Sequence, residues 1–129
     1  MTGIIEKMKV YPDFCKLGSV SEESIIEAET QLGVMFSDEY KTYISAFGTA
    51  SMQGHEFTGI CKSPRLNVVD VTQSERKDHP DISNDLYVIE QLNIDGIIIW
   101  QTQSGEVFQT ARGGKPQVIA ASLSAYLDL

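Results

Sequence analysis

Basic residues are scarce in this chain: 10 Lys and Arg stand against 18 Asp and Glu, which leaves a net charge of −8. Nucleic-acid affinity normally comes from a basic surface that displaces counterions from phosphates. The deficit therefore argues against a nucleic-acid partner, and equally against an anionic membrane. Long apolar runs are missing too. None exceeds the length of Ile97-Ile98-Ile99-Trp100, far short of the roughly 18 residues that a membrane span requires. The opening MTGIIEKMKVYPDF mixes charged with apolar residues and lacks the apolar stretch and cleavage site of a secretory signal.

Cysteine and histidine are equally sparse. Cys15 and Cys61 are too few for a disulfide framework or a metal cluster. They read as reduced and at least partly buried, because free cysteine behaves as a small apolar side chain, and a cytoplasmic location fits. Neither His55 nor His79 lies in a nucleophile or metal motif. Asp78-His79-Pro80-Asp81 reads as a solvated turn, since zinc sites need several converging ligands at defined spacing. His55 beside Glu56 reads as local structure before a strand. Arg112-Gly113-Gly114-Lys115 is basic and glycine-rich, but no helix opens directly after it, so a hairpin loop is expected rather than an anion cradle. No nucleophile elbow, Walker loop or dinucleotide fingerprint occurs. The expectation is a protein without catalytic residues, metal or cofactor.

What is present describes one domain over residues 1–129. Ser21 caps a helix with Glu22 and Glu23 in its first turn, Ile25, Ala28 and Leu32 on one face, and Gly33 as a left-handed stop. Ser37 caps a second helix that Gly48 ends, with Tyr40, Tyr43, Ile44 and Phe47 at buried spacing. A turn at Gln53-Gly54 leads into HEFTGIC as a strand, and Asn67 caps a helix over VVDVTQSERKD that Pro80 ends. LYVIEQL, GIIIWQT, EVFQT and QVIA follow as strands, joined by NIDG, Ser104-Gly105 and ARGGKP. Ser122 caps a final helix with Leu123, Tyr126 and Leu127. Helices, then an antiparallel meander, then a helix give an α+β fold.

Two features of charge placement bear on function. Glu29 falls between Ile25 and Ile26 on the apolar side of its helix, where a carboxylate is costly unless it accepts hydrogen bonds. It reads as a structural latch, with backbone N–H groups after Gly48 as the natural partners. The acids are also clustered: six lie between Glu22 and Glu39 with no basic residue, and seven between Asp70 and Asp95 against Arg76 and Lys77. These are either ordinary solvated helix faces or a docking surface for a basic partner. Asp70, Glu75, Asp78, Asp81 and Asp85 form the expected interface, with Glu56 in reserve.

The run IIEAETQLGVMFSDEYKTYISAFG resembles the signature of the SUKH superfamily, which includes yeast regulators of cell-wall synthesis and bacterial immunity proteins. The family pattern falls on Ile25 or Ile26, Glu29, Leu32-Gly33, Phe36, Asp38 or Glu39, Tyr40-Lys41 and Gly48. Its closing strand and Ser-capped helix correspond to VIAASLSAYL, so the resemblance spans nearly the whole chain. Ser37 stands where the family often has Pro, and Phe47-Gly48-Thr49-Ala50 replaces the usual Asn-Gly-Gly turn. GHEFTGI looks more like bacterial members than yeast ones.

The resemblance implies a twisted sheet flanked by helices, no catalytic activity and no fixed binding residues, because contact surfaces diverge with the partner. It points to an immunity protein that plugs a cognate toxin, a secreted nuclease in the leading reading. Such toxins are commonly basic, and an acidic inhibitor can imitate their polyanionic substrate. The alternative is a regulatory interaction module. Either one is expected as a monomer or homodimer.

Overall fold

A computed structural model describes residues 3–112 and 114–129. Among them the two helices with the clearest sequence signals form as expected. In α2 (Glu22–Leu32) the Ser21 side chain accepts from the Ser24 N–H, and Gly33 closes the helix at φ 68°, ψ 31°. In α3 (Asp38–Phe47) Ser37 accepts from Tyr40 N–H, and Gly48 follows at φ 71°. Asn67 caps α4 (Val68–Asp78) by accepting from Val69 N–H, and Ser122 caps α5 (Leu123–Leu127) by accepting from Ala125 N–H. The valines of α4 do not divert it into a strand, because Val68 and Val71 are buried against the sheet.

The strands form one antiparallel meander in chain order. It runs through β1 (Cys15–Lys16), β2 (Ala50–Met52), β3 (His55–Phe57), β4 (Tyr87–Gln91), β5 (Ile98–Gln101), β6 (Val107–Thr110) and β7 (Gln117–Ala120). A two-residue turn with positive φ at Gln53 and Gly54 joins β2 to β3. Every residue of β5 is buried, as the unbroken apolar run suggests. β7 lies at one edge and β1 at the other. The five helices and this open sheet make an α+β fold.

The sheet separates two apolar clusters. The larger holds Tyr40, Tyr43, Phe47, Phe57, Tyr87, Ile99 and Tyr126, covered by α2, α3, α5 and the amino-terminal helix α1 (Ile4–Lys9). The smaller, on the other side, holds Val71 of α4 with Leu86, Val88, Ile98 and Trp100. Alternation along β5 sends Ile98 and Trp100 to the small cluster and Ile99 to the large one.

Two expectations need correction, and three elements went unread. The helix α1 and the strands β1 and β2 carry no sequence signal strong enough to announce them: α1 has only six residues and no side-chain cap, and β1 has two residues. Cys15 is exposed rather than partly buried, because β1 is a two-residue strand at the sheet edge and both its residues are exposed; Cys61 is half-buried, and both thiols are free. The partner of Glu29 is also different. Its Oε2 accepts from Phe36 N–H at 2.8 Å, so it fastens α2 to its own loop rather than to the segment after Gly48. That segment is instead held by glycine contacts. Gly48 carbonyl accepts from Ile60 N–H, and a Cβ on Gly59 would lie 1.6 Å from Gly48 O. Of the loop Arg112-Gly113-Gly114-Lys115, Gly113 lies outside the described residues.

Candidate functional site

The acidic residues picked out between Asp70 and Asp85 do not form one cluster. Asp70 and Asp78 are exposed on α4, and Asp81 is exposed in the loop beyond it. No salt bridge reaches these three among the described residues. Arg76, from the same helix, offers them little compensation. Its guanidinium donates to the carbonyls of Leu32 at 3.1 Å and Asn84 at 2.9 Å, tying α4 to the end of α2. Partial burial lowers the Arg76 pKa, and its Nε has no partner among the described residues. Lys77 remains as the exposed cation of that helix.

Glu75 is turned the other way. It accepts from Gln91 Nε2 at 2.6 Å, and its other oxygen lies 3.8 Å from His79 Nδ1. Glu75, Asp78 and His79 line an open cleft of about 520 Å³ that also takes in Asn93 and Arg112. Asp78, His79 and Asp81 line a second one of about 620 Å³, together with Lys115. His79 thus forms the wall between two clefts. Its ring meets the Trp100 ring edge-on at 5.7 Å, its Nδ1 lies 3.0 Å from Glu75 carbonyl, and Trp100 Nε1 donates to Thr110 behind it. The Asp78-His79-Pro80-Asp81 string is therefore a packed wall at its histidine and solvated at its acids.

Glu56 and Asp85 lie elsewhere. Glu56 makes a two-pronged pair with Arg65, at 2.6 and 3.0 Å, which holds its carboxyl below the ordinary carboxylate range. Its charge is already answered, which weakens it as a contact for a basic partner. Asp85 bonds to Ser83 and borders a third groove, against α2.

Sequence reasoning passed over Glu90, the most enclosed carboxylate, at 2% exposure. Strict alternation along β4 would set it beside Val88, toward the small cluster. A β-bulge between Val88 and Glu90 shifts the register and turns it to the other face. There Glu90 accepts from Tyr126 Oη at 2.6 Å and Glu56 N–H at 2.9 Å, and lies 3.0 Å from His55 Nδ1. His55 stacks on Phe57 with rings 5.3 Å apart. This network ties β3, β4 and α5 together. The sequence signal for it is a lone Glu inside LYVIEQL, which cannot reveal a bulge.

No group of three or more His, Cys, Asp or Glu among the described residues is arranged to hold a metal ion. No helix among them is long and apolar enough to cross a membrane. What these surfaces offer is carboxylate facing water, suited to receiving cationic groups.

The architecture is a meander sheet of seven strands with five helices among the described residues. The SUKH_5 family model, described as SMI1-KNR4 cell-wall, matches residues 1–128, and the chain belongs to this family. No curated protein matches it.

Proposed function

We propose that this chain is a non-enzymatic, cytoplasmic immunity protein that binds a basic protein toxin, in the leading case a secreted nuclease, and blocks it by occlusion. The observation that carries the reading is the exposed acidity of α4 and the loop after it, which outweighs the one exposed cation of that helix, Lys77. Asp70, Asp78 and Asp81 face water without ion pairs, while Arg76 of the same helix is directed at backbone carbonyls. A surface of that kind raises the encounter rate with a basic partner and disfavours acidic ones. Family membership supports a role of this general type.

The family description as a cell-wall protein favours a second reading, a regulatory interaction module. The two differ in partner number and affinity. An immunity protein holds one partner very tightly, whereas a hub holds several weakly.

Co-expression with the toxin domain encoded beside the gene tests the proposal. Growth rescue together with a stable one-to-one complex on co-purification is the expected result. No rescue and no complex, with both proteins folded, rejects that pairing and favours the module.

A further inference from the structure

The third groove, where α2 runs into α3, has a composition unlike the other two. It is about 630 Å³ and is lined by Ile26, Thr30, Met35, Asp85 and Gln103 together with the edge of Glu29. Ile26 is 53% exposed and Met35 50% exposed, so two large apolar side chains border one groove in water. Most exposed apolar residues stand alone and need no explanation, but a shared, rimmed patch marks a contact site.

The charged residues that line it, Glu29 and Asp85, are both acidic. No Lys or Arg lines the groove, and none occurs between Glu22 and Glu39. Glu22 and Glu23 precede Ile26 by four and three residues, so they share its side of α2 one turn earlier. Asp85 lines the groove from the loop before β4. Arg76 is bonded to the carbonyls of Leu32, Asn84 and Leu86 and is not part of the lining. Glu29 lines the same groove, is only 9% exposed, and its one hydrogen bond from the described residues engages Oε2.

We propose that this groove receives an arginine side chain from the basic protein partner. The three-carbon stem lies against Ile26 and Met35, and the guanidinium reaches the carboxylates of Glu29 and Asp85. Arginine suits the site because its stem is apolar, its head is a planar fork of donors, and it is less strongly hydrated than an ammonium. Apolar contact around a desolvated charged anchor is the usual make-up of a binding hot spot. The proposal rests on the immunity reading for the partner's identity but not for the groove's preference for a cation.

Two measurements separate those claims. In the first, the isotope-labelled full chain is titrated with a short acetylated, amidated peptide in which one arginine is flanked by leucines. Saturable amide shifts confined to Ile26, Thr30, Met35 and Gln103 are expected, reduced at least fivefold in affinity in Asp85→Lys, and absent with the glutamate counterpart of the peptide. Shifts centred on Asp70, Asp78 and Asp81, or no saturable shifts, overturn the groove whatever the function. In the second, Ile26→Lys/Asp85→Lys and Asp70→Lys/Asp78→Lys are compared for toxin neutralisation, after each is shown to melt as the native chain does. Loss of at least tenfold in affinity in the first pair supports the groove. Full neutralisation by the first pair overturns the groove as the partner's site while leaving the immunity reading standing. Failure of the native chain itself to neutralise, with groove shifts present, rejects the toxin and keeps the arginine site.

Discussion

Tyr126 Oη donates to Glu90 Oε1 across 2.6 Å, joining the last helix to the bulge of β4. Burial first, and then the Glu90 charge, push the tyrosine pKa well above its ordinary value. The bond carries a charge and is enclosed, so Tyr126→Phe should destabilise the fold by about 1.5–3 kcal/mol. Urea unfolding measures it, and an unchanged midpoint would show that the bond contributes nothing net.

Tyr40, Tyr43 and Tyr87 also have pKa values raised above 10.0, with burial the largest cause for each. An unfolded tyrosine loses its proton near pH 10, whereas these stay protonated in the native state. The native state therefore holds more protons, and stability falls as pH rises. The contribution is complete below pH 10 and is lost above it at about 1.4 kcal/mol per pH unit for each group. Melting temperatures should be insensitive to these tyrosines at pH 7–9 and drop steeply beyond about pH 10. A flat profile to pH 12 would contradict it.

Glu29→Gln should lower the melting temperature, because the Phe36 N–H then meets a neutral acceptor instead of a carboxylate. Glu29→Ala should cost more, about 1–3 kcal/mol, since it leaves that buried N–H without a partner. Equal melting temperatures for native chain and both variants would remove the latch.

Gly59→Ala places a Cβ 1.6 Å from Gly48 O and forces the two backbones apart. Gly33→Ala meets open space and has only the left-handed backbone to resist it, a cost of about 1–2 kcal/mol. The first variant should therefore be the less stable of the two by thermal unfolding. The reverse order would mean that the contact between these two segments yields easily.

Much of the fold was legible in the sequence because its punctuation is local. Ser21, Ser37, Asn67 and Ser122 are caps that act within three residues, and Gly33 and Gly48 stop the helices that they follow. The unbroken apolar run of β5 announced burial on both faces. What stayed hidden depends on distant partners. The bulge that turns Glu90 inward arises from pairing with β5, and the Arg65 that neutralises Glu56 arrives from a loop nine residues on. For the candidate site, the sequence located the acids but not their orientation. It placed Glu75 with Asp78, although one is turned to Gln91 and the other to water. Ile26 read as part of the apolar side of its helix, and only the two separate loops that bring Met35 and Asp85 beside it make a groove.

A stoichiometric titration decides whether this acidic domain occludes a toxin. The purified chain is added in steps to the purified toxin domain encoded beside its gene, with the toxin's own activity as readout. A linear fall to zero activity at one chain per toxin is expected, with association slowed by added salt as exposed charges are screened. Undiminished toxin activity at a tenfold molar excess of folded chain would contradict it.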